Sequence, residues 1–470
     1  MIYDPKSKCA DEFINDAEIR RCLEYAKIPK PKSFYLDILE KAKLEQGLSH
    51  EEVACLLACN DENIWKEIFS LARKIKKAYY GNRIVLFAPL YLSNYCINGC
   101  VYCPYHAKNK TIARKKLSQE DIKNETVALM DMGHKRLALE MGEDDKINTM
   151  EYLLESIKNI YSIKHKNGSI RRVNVNIAAT TRENYKKLKE AGIGTYILFQ
   201  ETYNKENYEI LHPTGPKHNY NYHTEAMDRA MEAGIDDVGI GVLFGLNTYE
   251  YELVGIMMHK EHLEARFGVG PHTISVPRIC PADDIDTNDF ENALSDDIFI
   301  KIVALLRISV PYTGMIISTR ESKESREKAL QVGISQISGG SKTSVGGYYE
   351  PVQEETSQFD VSDNRSLDEV VGWLLDMDHI PSFCTACYRA GRTGDRFMSL
   401  CKNKQIGNIC GPNALLTLQE YLEDYASEST KAKGEAVISK TISLIENEKI
   451  RNQTISYLKE IKNGKRDFRF

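Results

Sequence analysis

No stretch of this 470-residue chain is apolar for long enough to cross a bilayer, which excludes a helical membrane span. An export signal is missing as well: the start, Met1-Ile2-Tyr3-Asp4-Pro5-Lys6, lacks the charged, apolar and small-residue succession of a secretory leader, so a cytoplasmic protein is expected. Positive charge is not in surplus. Lys and Arg number 62 against 67 Asp and Glu, a net charge of −5, and no basic stripe interleaves with aromatics, so neither nucleic acid nor a membrane is an expected partner. Tryptophan is scarce, at 2 residues against 26 tyrosines, a bias that points to no function. Internal repeats and low-complexity tracts are absent. What remains is a chain of ordinary globular composition, 42% hydrophobic and 27% charged, long enough for a large barrel with additions at both ends. Twelve cysteines in a chain without a leader read as metal ligands and core thiols and not as disulfides.

Three of them are crowded into Cys96-Ile97-Asn98-Gly99-Cys100-Val101-Tyr102-Cys103. A 4Fe–4S cubane ordinarily takes four thiolates, so a loop offering three leaves one iron open, and an open position is where a metal centre does chemistry. Spacing alone leaves a zinc knuckle or a ferredoxin-type cluster with a distant fourth cysteine open. The Cys-x3-Cys-x2-Cys run with an aromatic before its last thiol resembles the signature of the radical SAM enzymes. That resemblance implies that Cys96, Cys100 and Cys103 hold a 4Fe–4S cluster whose free iron chelates S-adenosylmethionine (SAM). It also implies that Tyr102 lies near the adenine, and that reductive cleavage of SAM yields a 5'-deoxyadenosyl radical.

Residues up to about 80 read as helical, with a capping box at Ser49-His50-Glu51-Glu52 opening an amphipathic stretch over 53–77. Cys55 and Cys59 fall in that stretch among apolar residues and are expected in the core. Beyond residue 83, short apolar segments at 84–92, 136–141, 172–178, 195–200, 237–244, 272–278, 315–318 and 334–338 alternate with helical patterns at 118–131, 182–191, 222–233, 249–267 and 321–331. Eight such alternations predict an α/β fold, a (β/α)8 TIM-type barrel over 81–340, with its active site on loops leaving the strand C-termini. The expected division is an N-terminal helical region 1–80, the barrel, and a C-terminal region 341–470 that carries a second cluster. That last part begins with a glycine-rich linker or folded-back loop and continues with helices near 366–377, 413–426 and 435–461.

Several strand ends carry polar residues. The second ends in Glu140-Met141-Gly142-Glu143; the resemblance puts the SAM amino group against a glycine-containing segment here, which implicates Gly142 and Glu143 even though only one glycine is kept. Glu201, after the fourth strand, suits the SAM ammonium or ribose hydroxyls, and a solvent-facing loop acid is its other reading. Ser318-Thr319-Arg320 ends the seventh strand, where an arginine after two hydroxyls matches a bidentate carboxylate clamp. An arginine at a helix start paired with solvent or Glu324 is the plainer alternative. A second cysteine group, Cys384-Thr385-Ala386-Cys387 and Cys410 with Cys401 between, fits zinc or iron–sulfur equally by spacing.

A radical SAM barrel followed by Cys-x2-Cys-x22-Cys, with His272-Thr273-Ile274-Ser275-Val276-Pro277-Arg278 and the segment 387–395 between and around them, resembles the HydG-type tyrosine lyases. The resemblance implies that Cys384, Cys387 and Cys410 hold an auxiliary 4Fe–4S cluster. It further implies a fifth iron bridged by a bound cysteine and held by His272, with no ligand role for Cys401. L-Tyrosine would be the substrate, its carboxylate on Arg320 with help from Ser318 or Thr319. The implied products are p-cresol and dehydroglycine, the latter converted to carbon monoxide and cyanide for the FeFe-hydrogenase cofactor. A reductant such as ferredoxin or flavodoxin and other hydrogenase maturases are the implied partners. Two alternatives remain at this point: the tyrosine lyase of thiamine biosynthesis, which lacks the second cysteine group, and a non-enzymatic iron–sulfur scaffold.

Overall fold

The computed structural model describes residues 2–352, 355–403 and 407–470. Eight parallel strands close a barrel: β1 (Arg83–Ser93), β2 (Arg136–Met141), β3 (Arg172–Asn176), β4 (Tyr196–Ile197), β5 (Val238–Gly241), β6 (Thr273–Ser275), β7 (Gly314–Ile317) and β8 (Gln336–Ser338). Each pairs with the next, β8 pairs with β1, and β1 closes on β2. β1, β2 and β7 match or exceed the apolar runs that encode them, while β3, β5, β6, β8 and above all β4 are shorter, because near the barrel mouths the chain leaves the ladder to form loops.

Along each strand, inward side chains alternate with apolar ones facing the helices, such as Leu137, Leu139, Val173 and Val175, all buried. Helices between the strands cover the outside, many opened by a side-chain cap: Ser118, Thr149, Thr181 and Ser295 each accept from a backbone N–H of the first turn.

A ninth strand, β9 (Ile380–Ser382), was not evident from periodicity. It pairs in parallel with residues 83–85 of β1, on the flank that β2 takes only from Ala88 onward. It therefore fills the gap left where β1 and β2 diverge at the barrel's N-terminal end. This places the Cys384 loop directly beneath the barrel, and the region after residue 340 shares one continuous core with it.

The glycine-rich segment is a folded-back loop. Glu125 accepts the backbone N–H groups of Gly347, Tyr348 and Tyr349, and Tyr105 Oη donates to the carbonyl of Thr356, so 341–352 and 355–364 lie over the C-terminal mouth.

Three helical expectations are corrected. The stretch 53–77 is two helices, His50–Leu57 and Glu62–Tyr80, because Asp61 caps the second and the Trp65 indole donates to the carbonyl of Cys59. The expected helix 222–233 breaks at Glu225 into Tyr220–Thr224 and Ala226–Glu232. The expected helix 435–461 is Glu428–Ile442 and Glu448–Lys462, separated where Asn447 turns to cap the second by accepting from Ile450 N. Cys55 and Cys59 are buried core residues.

Candidate active site

The loop after β1 is held by its own polar side chains. Asn94 Oδ1 accepts from Lys115 N (2.7 Å) and Asn94 Nδ2 donates to Ala113 O (2.7 Å). Arg114 ties three carbonyls of the loop, those of Asn94, Tyr105 and His106. Cys96, Cys100 and Cys103 thereby line the upper cavity, about 1020 Å³ at the C-terminal barrel mouth, together with Tyr102, Gly142, Glu143 and Glu201. Gly142 sits so close to the loop that a Cβ there would lie 2.4 Å from the Tyr95 carbonyl oxygen, leaving only backbone exposed to the cavity. Glu143 Oε2 accepts from Asn98 Nδ2 (2.5 Å), linking the end of β2 to the cysteine loop, and burial raises its carboxyl.

On the opposite wall, Glu201 adopts φ +69°, a left-handed conformation uncommon for a residue with a side chain and characteristic of constrained sites. It pairs with Lys217 Nζ at 2.6 Å, both side chains largely buried. Lys217 was not singled out from sequence because it lies in a 3-10 turn with no periodicity, 16 residues away from its partner. Tyr102 Oη donates to His212 Nε2 (2.7 Å), whose Nδ1–H donates to the Tyr208 carbonyl (2.7 Å). Burial holds that imidazole neutral.

Deeper in the barrel lies a second pocket of about 680 Å³, lined by Ser318, Thr319, Arg320, Glu140, Asn176, Gln358 and Phe359 among others. The Arg320 guanidinium stacks on the Phe359 ring at 3.7 Å and makes no ion pair with a described carboxylate, Glu324 included; the following helix begins at Lys323 with Ser322 as its cap. Ser318 Oγ accepts from Arg320 N (3.3 Å) and shapes the turn. Thr319 is buried, its carbonyl anchoring Ser362 and Asp363 of the overlying segment. Glu140 faces this pocket. Burial pushes its carboxyl up to about 8 despite the opposing charge of Arg320.

A third cavity, about 700 Å³, opens at the N-terminal mouth. Cys384, Cys387, Cys410 and His272 all line it, with Arg83, Arg136, Arg172 and Asp237 from the first inward positions of their strands. Cys401, on the helix Gly394–Lys402, does not. His272 Nδ1 is buried and stands 3.3 Å from Asp237 Oδ1 without hydrogen-bond alignment, an unsatisfied nitrogen. The hydrogen bond from Cys410 and the nearby Arg392 guanidinium lower Cys387, and the same hydrogen bond raises Cys410. Among the described residues no three cysteine sulfurs all lie within 4.8 Å of one another.

The deep pocket and the lower cavity abut. Phe87, Ala138, Ile316 and Ser338 line the former; Val85, Arg136, Gly314 and Gln336, each two residues earlier on the same strand, line the latter. Two residues of strand rise about 6.6 Å. The charged ring at the bottom, the arginines of β1, β2 and β3 with Asp237, was legible in principle: a charge at the first inward position of an otherwise apolar strand is costly unless it serves a site.

Residues 90–257 match the model of the Radical SAM superfamily, and residues 275–380 that of the Biotin and Thiamin Synthesis associated domain. A crystal structure of HydG, a maturase of the FeFe-hydrogenase, superposes with a TM-score of 0.95 at 55% identity, covering 97% of this chain and 100% of that one. HydG from Carboxydothermus hydrogenoformans gives a TM-score of 0.83 at 42% identity, over 96% and 99% of the two chains. The 2-iminoacetate synthase of Escherichia coli (strain K12) is 28% identical over 72% of this chain and 87% of its own length. Near-complete coverage at such identity, on a barrel with a three-cysteine loop at one mouth and a second three-cysteine cavity at the other, establishes that this chain is a radical SAM enzyme of the HydG family of FeFe-hydrogenase maturases.

Proposed function

We propose that this enzyme cleaves L-tyrosine between Cα and Cβ in the deep pocket and converts the two-carbon fragment to carbon monoxide and cyanide at the lower cavity, for FeFe-hydrogenase cofactor assembly. The observation that carries this reading is the pair of cysteine-lined cavities at opposite mouths of one barrel, with the deep pocket between them and abutting the lower one.

Cys96, Cys100 and Cys103 would hold the first 4Fe–4S cluster, with SAM on its open iron against Gly142, Glu143, Glu201 and Tyr102. When bound, that pair supplies the one-electron chemistry that starts the reaction. The chain's own residues position and protect the substrate. Arg320, stiffened by Phe359 and turned inward by Ser318, takes the tyrosine carboxylate in a bidentate grip, Thr319 fixing the turn. Glu140, whose carboxyl burial holds near 8, keeps its proton in most molecules at neutral pH; in the ionised fraction it accepts the proton of the substrate ammonium and leaves a neutral amine whose hydrogen can be abstracted. Residues 341–352 and 355–364 lie over the mouth and exclude water while the Cα–Cβ bond breaks to p-cresol and dehydroglycine.

Dehydroglycine contains the atoms of one carbon monoxide, one hydrogen cyanide and one water, so its division needs no further redox partner. Cys384, Cys387 and Cys410 would hold the auxiliary cluster, and His272, with its unsatisfied nitrogen, an additional iron bridged by a bound cysteine. The arginine ring favours the anionic fragment on its way down. A ferredoxin or flavodoxin is the proposed electron source and the other hydrogenase maturases the proposed recipients.

Substituting Cys384 or Cys387 by alanine is expected to spare p-cresol formation and abolish iron-bound carbon monoxide. Loss of both products with the first cluster intact would refute the two-site division.

A further inference from the structure

A third group of metal-ligating side chains lies outside all three cavities, among the N-terminal helices. Glu18 and Cys22 occupy one face of the helix Asp16–Lys27, four residues apart, and His50 opens the helix His50–Leu57 that packs against it. His50 and Cys22 are buried, Cys22 completely. The His50 Nε2, Cys22 Sγ and a Glu18 carboxylate oxygen all lie within 4.8 Å of one another.

Their separations are informative. His50 Nε2 is 3.2 Å from Glu18 Oε1, and Cys22 Sγ is 3.5 Å from the same oxygen. Charge-assisted hydrogen bonds contract to about 2.7–2.9 Å. A tetrahedral zinc with ordinary bond lengths sets nitrogen and oxygen about 3.3 Å apart, and sulfur and oxygen about 3.5 Å apart. The two edges observed are those of such a tetrahedron.

The other ring nitrogen is fully committed. His50 Nδ1 lies 2.7 Å from Glu261 Oε2, which also accepts from Tyr3 Oη (2.7 Å), while Glu261 Oε1 accepts the His50 backbone N–H (2.9 Å). A carboxylate that fixes one imidazole nitrogen and aims the other at a metal is the usual outer partner of a zinc-bound histidine.

We propose that Glu18, Cys22 and His50 form a structural divalent-metal site, with Zn²⁺ as its ion, Glu261 as the positioning residue for His50, and water in the fourth position. The bound ion would join two N-terminal helices to the barrel helix Tyr249–Phe267 that carries Glu261. Arg21 is the competing cation, bonded to both Glu18 oxygens and 3.4 Å from Cys22 Sγ. Its side chain is 52% exposed and also holds Glu51, so it can release Oε1 while keeping Oε2 and Glu51.

Holoenzyme with both clusters loaded, titrated with Zn²⁺ against a chromophoric chelator, is expected to bind one tight equivalent per chain. C22S and H50Q should lose it, E18Q should weaken it at least tenfold, and E261Q should weaken it by about 10- to 100-fold. X-ray absorption at the zinc edge of the loaded wild-type protein should show a single sulfur among nitrogen and oxygen neighbours, a readout independent of any variant's folding. Equal zinc binding by wild type and C22S, a zinc shell with no sulfur or with several, or no tight equivalent at all would overturn the assignment.

Discussion

Replacing Glu140 by glutamine tests whether its carboxyl is held for chemistry at the expense of stability. Burial raises this group from its ordinary 4.5 to about 8. Below about pH 4 both the folded and the unfolded chain carry the proton, and the group contributes nothing. Between 4.5 and 8 the unfolded chain has released its proton while the folded one retains it, so the folded state is penalised by about 1.4 kcal/mol per pH unit, saturating above 8. Three units separate 4.5 from 7.5, giving about 4 kcal/mol at pH 7.5 as an upper figure and about 1 kcal/mol at pH 5. Glutamine keeps the shape and the hydrogen bond to Asn176 and never ionises. Anaerobic denaturant titrations should therefore show E140Q more stable than wild type at pH 7.5, with a gain about 3 kcal/mol larger than at pH 5. The same variant should form p-cresol at least tenfold more slowly, because the substrate ammonium has lost its proton acceptor. A gain independent of pH would refute the buried-carboxyl argument, and undiminished p-cresol formation would refute its catalytic use.

Three further outcomes follow from the geometry. Gly142→Ala drives a Cβ into the Tyr95 carbonyl oxygen and should cost about 1–3 kcal/mol, with iron at the first cluster and 5'-deoxyadenosine formation falling together. Arg320→Lys retains charge but loses the planar stack on Phe359 and the forked donors, so steady-state kinetics should show KM for tyrosine raised at least tenfold. Gly314→Val adds bulk on the lower cavity wall, where the nearest neighbour is the mobile end of Gln336; strand propensity favours it, and the ratio of carbon monoxide to p-cresol should fall several-fold while p-cresol persists.

Much of the barrel was legible because its information is local. Alternation of inward and outward residues over 136–141 or 172–176, and caps such as Ser118 and Ser295, are written within a few neighbouring positions. The three-thiol loop is equally local: Cys96, Cys100 and Cys103 reach one cavity because eight residues carry them all. Breaks within helices were less legible, since Asp61 and Asn447 act as caps only once the chain turns there, and a hydrophobic period alone does not register the turn.

Tertiary structure decided the rest, by joining residues that no local pattern connects. The pairing of residues 83–85 with 380–382 hangs the Cys384 loop under the barrel and lets it share a cavity with His272 and Cys410. Arg320 reads as a substrate clamp only when Phe359 from the folded-back segment supports it and Glu140 from another strand faces it. Lys217 meets Glu201, and Glu261 meets His50 across more than 200 positions, through the same closure of a core. Sequence by itself thus determined which chemical groups the chain carries and the secondary structure that bears them. Which groups face one another was set by strand register and packing, because an ion pair or a metal site depends on distances of a few ångströms that only the closed barrel imposes.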